Sequence, residues 1–268
     1  MAISLSAGVR ASLTSIQQTA ALAQQTQLRL ATGKRVNSAV DNPVNYFTSE
    51  GLNGRAGDLS RLQDQIGLAI KTIEAADKGI KALTKLVETA QGLAQQALQT
   101  SDAPTRASLA TQFGTLRTQI DELAADSGFN GVNLLDGDNL TVTFNEDASS
   151  TLAVTGVTYD AAGLSIAAAA NAWVADADIT AATDDLSAAL TTLRSQASTL
   201  GANLSVVTNR QAFTSDMITT LRSGADGLVL ADSNEEGANL LALNTRQQLA
   251  QTALALASQA DQAVLRLF

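Results

Sequence analysis

The chain has 268 residues, 45% hydrophobic and 3% aromatic, with two Pro and neither Cys nor His. The missing types exclude disulfides, zinc and thiolate sites, a cysteine nucleophile and a histidine base, and the composition favours long helices packed through small residues over a compact globule. The net charge of −9 is uneven: residues 1–40 carry four cations (Arg10, Arg29, Lys34, Arg35) and no acid, whereas residues 120–185 carry twelve acids and no Lys or Arg, an acidic hydrated surface.

In chain order, residues 3–30 read as a helix in which Val9, Leu13, Ile16, Ala20, Ala23 and Leu30 keep a three–four rhythm, with Gln27 the polar exception. Its other faces are Ser, Thr and Gln. Gly33, Asn37 and Asp41-Asn42-Pro43 are turn and cap residues that end the pattern.

Next comes the strongest periodicity. Leu59, Leu62, Ile66, Ala69, Ile73, Ala76, Ile80, Leu83, Val87, Ala90, Ala94 and Ala97 alternate steps of three and four with no Pro among them. That is a coiled-coil seam, roughly 60 Å of helix at 1.5 Å per residue. The helix is expected from about Gly54. Asp102 and Pro104 stop it and start another. The new helix carries Leu109, Phe113, Leu116, Ile120 and Leu123, and its short connection predicts an antiparallel return.

From 129 to about 158 the period falls to two. Val132 with Leu134, residues 140–144 and residues 152–155 read as short strands. Asn130-Gly131, Asp136-Gly137 and residues 145–150 are the turns. Residues 161–174 are ambiguous between strand and helix, and the Ala run suggests helix. Trp173, the single Trp, is expected to be a packing anchor.

A second long helix is expected over 178–221, on Leu186, Leu190, Leu193, Ala197, Leu200, Leu204, Val207, Ile218 and Leu221, weakened at Gln211 and Thr214. Ser223-Gly-Ala-Asp-Gly227 reads as a break. The last helix starts near Asn234, with Ala242, Leu249, Ala253, Leu256, Ala260, Ala263 and Leu267 as its stripe and Arg246 as its polar position.

The fold class is therefore mainly α: a long coiled-coil helical bundle rod, a small β-hairpin region, and terminal helices that order on assembly. The division is 1–40 (N-terminal helix and loop), 41–139 (coiled-coil helices and hairpin start), 140–177 (small central β/α insert), 178–225 (second coiled-coil helix) and 226–268 (C-terminal helix). The three middle helices can satisfy one another. The two ends have no partner of equal heptad strength; they could pair together, but such a pair would still expose Leu and Ala on several faces, so the ends are expected to be loosely ordered alone and to order on association. A heterologous, non-closing contact of that kind makes a filament.

Leu30-Ala-Thr-Gly-Lys-Arg-Val-Asn-Ser-Ala-Val-Asp-Asn-Pro43 resembles the bacterial flagellin segment after the first helix. Phe129-Asn-Gly-Val-Asn-Leu-Leu135 resembles the motif that opens the flagellin β-hairpin. Arg246-Gln-Gln-Leu-Ala through Ala263-Val-Leu-Arg-Leu-Phe268 resembles the flagellin C-terminal end. Three motifs in the right order identify a short flagellin with a small insert. The resemblance implies a structural filament subunit of the extracellular bacterial flagellum, polymerising through Leu13, Ile16, Leu30, Leu249, Leu256, Leu267 and Phe268. The terminal helices would form an inner tube and the long helices an outer one. It also implies partners: copies of itself, an export chaperone on the C-terminal helix, the type III export apparatus, and hook-associated and cap proteins. The alternative is a hook–filament junction adaptor of the same plan.

One departure stands out. The stretch Gln-Arg-x-Arg-Glu-Leu, by which the Toll-like flagellin receptor detects flagellins, aligns with Gln91-Gly92-Leu93-Ala94-Gln95-Gln96. Both Arg and the Glu-Leu pair are gone, so poor receptor activation is expected.

Other readings carry less. Asp136-Gly-Asp-Asn139 lacks the later Glu of a calcium loop and reads as a turn. Gly33-Lys34 lacks the rest of a phosphate loop and reads as a helix end. Asn139-Leu-Thr and Asn203-Leu-Ser match the glycosylation sequon, and Ser149, Ser150 and Thr151 could carry O-linked sugars. No metal, cofactor or catalytic residue is expected. Four terminal cations without aromatics do not make a nucleic-acid site, and they are expected to pair with acids of neighbouring subunits. The N-terminus lacks the n- and h-regions of a signal peptide, and the most apolar run, 161–174, is too short to span a bilayer. The chain is expected to be soluble and to leave the cell without a cleaved signal.

Overall fold

The computed structural model describes residues 7–265. Its elements are α1 (Ala7–Thr32), α2 (Pro43–Leu98), α3 (Ala103–Asp126), β1 (Leu140–Thr143), β2 (Thr151–Val154), a short 3₁₀ turn (Ala170–Trp173), α4 (Asp176–Val229) and α5 (Ser233–Leu265). Two compact units result, one drawn from Met1–Ala56 and Thr219–Phe268, the other Gly57–Ile218.

In the second unit all twelve residues of the predicted seam on α2 are buried, most of them completely. Gln91 Nε2 donates to Ser187 Oγ at 3.1 Å, and the backbone at Gly67 lies beside Gln211, so α2 and α4 run antiparallel. Leu186, Leu190, Leu193, Leu200, Val207 and Thr214 hold the α4 side. Polar Gln211 and Thr214 do not interrupt the helix. Thr214 Oγ1 returns its hydrogen bond to Arg210 O, as a helical threonine can.

Asp102 caps α3 by accepting from Thr105 N at 3.0 Å, with Pro104 in the first turn. The helix returns along α2 as expected: Arg106 reaches Ala97 O near one end, and Ser127 meets Gly79 near the other. Past α3, Asn133 Nδ2 donates to Ala124 O and Ala125 O, both at 2.8 Å, and satisfies two carbonyls that the helix end leaves open. Asn130-Gly131 makes a two-residue turn with both φ positive, 52° and 80°, closed by Phe129 N–Val132 O and Val132 N–Phe129 O bonds.

β1 and β2 pair antiparallel from Leu140–Val154 to Thr143–Thr151. The strand expected at Val132–Leu134 does not form. Leu134 and Leu135 are buried instead, and their carbonyls accept from Val157 N and Tyr159 N at 2.9 Å each. Residues 161–174 do not form the helix that their Ala run suggests. Ala161, Leu164, Ile166 and Trp173 are buried at steps of three, two and seven, which no regular period serves. Trp173 is the anchor expected of it, fully buried with its ring 5.0 Å from Phe113.

Much of the acidic run works internally. Asp121 Oδ1 accepts from Ala161 N, Asp185 Oδ2 from Ala167 N, and Asp138 Oδ2 from Asn133 N, so these carboxylates hold irregular backbone as well as facing water. Asp138 thereby serves the turn at Asp136-Gly137.

Two helix boundaries differ from expectation. α2 begins at Pro43, where Asn42 Oδ1 caps Asn45 N at 3.0 Å, and runs through Gly51, Gly54 and Gly57. α4 continues through Ser223–Gly227 to Val229, because Leu221, Ala225 and Val229 are buried at helical spacing; that burial outweighs about 1 kcal/mol lost per Gly. The chain breaks at 230–232 instead.

Candidate functional site

The first unit is built from the two ends of the chain. Gly33, at φ +66°, ends α1 in the left-handed conformation that Gly adopts freely. The strand-like linker that follows meets the one between α4 and α5. Arg35 N and Val36 N both donate to Val229 O, at 2.7 and 3.2 Å, and Ala231 N donates to Gly33 O at 3.0 Å. Val36 is buried in the junction. Asp41 closes the first linker by accepting from Asn37 N and Ser38 N, both at 3.0 Å, and these bonds hold its carboxyl below the usual range. Asp232 opens α5, its Oδ1 accepting from Asn234 N at 2.8 Å.

α1 and α5 pack on each other. The terminal helices thus take each other as partners within the chain, the pairing that their sequence left open. Each is amphipathic, and the least costly way to cover one stripe is against the other. On α1, Val9, Ala23 and Thr26 are buried and Ile16 and Leu30 half-buried. On α5, Glu236 is buried and Leu240, Leu243, Gln247, Ala250, Leu254 and Ala257 are half-buried, a three–four stripe. An ion pair, Arg29 Nη1 to Glu236 Oε1 at 2.9 Å, sits at the base of the pair. Arg29 therefore meets an acid of its own chain, where an acid of a neighbouring copy was expected. A polar pair in an apolar seam favours one register over its neighbours.

The stripe expected for the last helix is a different one. Ala242, Leu249, Ala253, Leu256, Ala260 and Ala263 are all exposed, Leu249 at 64% and Leu256 at 67%. At 3.6 residues per turn they lie about a third of the way round α5 from the covered stripe. Leu13 is 40% exposed, and the sequence reading missed exposed Leu22, Leu28 and Leu241. Leu267 and Phe268 lie outside the described residues. The first unit therefore carries a covered seam and a second, uncovered one. Sequence periodicity finds both rows but not which of them the chain itself covers.

In the aligned receptor segment, Ala94 is fully buried in the α2 seam and Gln91 is engaged by Ser187, while Gly92, Gln95 and Gln96 are exposed. Among the described residues no group of His, Cys, Asp or Glu is placed to hold a metal ion, and no helix is long and apolar enough to cross a membrane.

Two family descriptions match the chain: the bacterial flagellin N-terminal helical region over residues 3–140, and the bacterial flagellin C-terminal helical region over residues 183–268. Flagellin FljM of Caulobacter vibrioides is 30% identical, the alignment covering 99% of this chain and 98% of that one. A flagellin of Brucella melitensis is 26% identical, with 91% of each chain covered. A crystal structure of Bacillus cereus flagellin superposes with a TM-score of 0.48 at 19% identity, over 57% of this chain and 88% of that one.

Proposed function

The chain belongs to the bacterial flagellin family, and from that premise we propose that its copies polymerise through the uncovered seam of α5 and the exposed leucines of α1. As a flagellin it is a structural subunit of the flagellar filament, and matches to flagellins along nearly its whole length set the junction-adaptor alternative aside.

The observation that carries the interface is the second stripe of α5. A helix whose first stripe is satisfied by α1 still presents Leu249 and Leu256 to solvent seven residues apart, with Ala between them. A heptad-spaced apolar row on a solvent face is a coiled-coil seam in want of a partner. At about 1.5–3 kcal/mol for each large side chain buried, the row favours association. Leu13 contributes from α1 as an exposed leucine and Ile16 and Leu30 through the part of their surface that remains open, with Leu267 and Phe268 at the far end of the chain, after α5. In this reading α1 and α5 line the filament interior, and the long helices surround them. Passage through the type III export apparatus without a cleaved signal, a chaperone on α5, and hook-associated and cap proteins as further contacts follow from the family and belong to the same proposal.

The test is Leu256→Asp. Leu256 faces water in the single chain, so the variant keeps its helix content by circular dichroism, while electron microscopy shows few or no filaments under conditions that polymerise the parent protein. Filaments of parental length and number from a folded variant would overturn the interface.

A further inference from the structure

Residues 167–175 stand apart from the rest of the second unit. Between Ile166 and Trp173, both fully buried, the chain runs Ala-Ala-Ala-Ala-Asn-Ala, and none of these six is buried. The segment is fastened at few points: Ala167 N to Asp185 Oδ2 at 3.3 Å, Asn171 Nδ2 to Asp178 Oδ2 at 3.2 Å, Val174 O accepting from Arg106 Nη1 at 2.9 Å, and Ala175 O accepting from Asp178 N at 3.1 Å.

Its backbone is also strained. Asn171, Ala172 and Trp173 follow one another with φ of 47°, 49° and 58°, and none is Gly. Left-handed residues normally occur singly, because Cβ crowds the following carbonyl, and a bulky side chain there is an outlier. Such a conformation persists only where the surroundings over-determine it. Here the surroundings are the Trp173 pocket. The indole has no exposed surface and packs against Phe113. It is an imperfect fit, since the buried Nε1–H has no acceptor. Burial of one large ring thus holds a left-handed turn that the local chain disfavours, at the cost of an unmet donor.

We propose that residues 167–175 form a spring-loaded latch, with Trp173 as the bolt, which opens as a unit while the α2–α3–α4 helices remain folded. Withdrawing the indole removes the apolar contact, releases the three left-handed residues to ordinary backbone and returns the N–H to water. Opening also frees the Val174 carbonyl from Arg106, one of the two bonds by which that residue ties the α2–α3 turn to the chain entering α4, the other being to Asp176. The latch is an ordering device for this end of the unit: it closes last on folding and opens first on unfolding.

Trp173 is the chain's single Trp, so its fluorescence reports the bolt alone. In a urea series on the full chain, emission shifts to the red at concentrations where hydrogen exchange still shows residues 59–97 protected. Asn171→Gly and Ala172→Gly then provide the decisive comparison. Glycine accepts positive φ without penalty, so Ala172→Gly lowers the opening constant roughly 5- to 30-fold and moves the fluorescence midpoint to higher urea, with exchange at 59–97 unchanged, and Asn171→Gly, at a residue type that tolerates this conformation, moves it less. At an ordinary position the same change would shift the midpoint the other way. A fluorescence change that coincides with loss of protection at 59–97 overturns the latch, and so does an Ala172→Gly variant whose midpoint stays or falls.

Discussion

The guanidinium of Arg106 donates to the carboxylate of Asp176, 70 positions further along the chain, and does so from a buried site at the turn between two helices. Its Nε and Nη1 are engaged as well. Nε reaches Ala97 O at 3.1 Å and Thr100 O at 2.6 Å, and Nη1 reaches Val174 O. One planar cation therefore joins the end of α2, the start of α3 and the start of α4. Asp176 is largely exposed, so the ion pair itself contributes little. The carbonyls are the larger part, because a buried acceptor without a donor costs about 1–3 kcal/mol. Arg106→Ala is expected to lower stability in urea by on the order of 3 kcal/mol. Asp176→Asn should cost under about 1 kcal/mol. Equal losses from the two variants would mean that the ion pair, and not the carbonyl set, carries the effect.

Acid should weaken the backbone-holding bonds that the Asp102 and Asp41 carboxylates accept. The Asp102 carboxyl accepts from the Thr105 hydroxyl and then from its backbone N–H, and these bonds lower its pKa. Asp41 is lowered by the backbone N–H groups of Asn37 and Ser38. A carboxyl that is depressed in the folded state binds protons more readily when unfolded. Its stabilisation is present above the ordinary carboxylate pKa and is lost as pH falls through the depressed value. The melting temperature of the parent protein should exceed that of Asp102→Asn near neutrality, with the gap closing in the acid range. A gap that is independent of pH would show that the cap does not act through its charge.

How much of this was legible depends on whether burial followed a period. The α2 seam reads directly because twelve apolar positions keep the rhythm, and tertiary packing honours every one of them. The ends of α2 and α4 do not read, since Gly-rich and Ser-Gly-Asp stretches signal breaks locally while buried Ala56, Leu221, Ala225 and Val229 hold the helix through them. Asn133 and Arg106 were invisible for a different reason. Their work is to satisfy backbone carbonyls, which leave no mark on the sequence; only a polar residue next to a helix end hints at it. Pairing of α1 with α5 was open because both helices carry apolar residues on more than one face, and periodicity cannot rank two stripes of similar strength.

The receptor segment yields a prediction that rests on both sequence and burial. Two of the aligned positions that would carry Arg hold Gly92, exposed and without a side chain, and Ala94, sealed in the seam with no exposed surface. A charged, bidentate contact is out of reach at either. Purified monomer should activate a Toll-like flagellin receptor reporter cell weakly, compared with a flagellin that carries the Gln-Arg-x-Arg-Glu-Leu stretch. Full activation at equal concentration would sink this expectation.

Two glycines of α2 should respond in opposite directions to the same change. Both are helical, and Ala is favoured over Gly there by about 1 kcal/mol. At Gly92 nothing lies within 4 Å of an added Cβ, so Gly92→Ala should collect that gain in full. At Gly79 an added Cβ would sit 2.4 Å from Ser127 Oγ and 2.6 Å from Leu135 Cδ1. Ser127 is itself held by its bond to Leu123 O, and Leu135 is fully buried, so neither can step aside cheaply. Overpacking of this kind costs about 1–3 kcal/mol and should outweigh the helix gain. The turn after α3 can lie against α2 only because position 79 has no side chain. Urea denaturation of the two single variants decides it: a higher midpoint for Gly92→Ala with a lower one for Gly79→Ala is the expected pair, and a stabilised Gly79→Ala would show that the turn has room to move away.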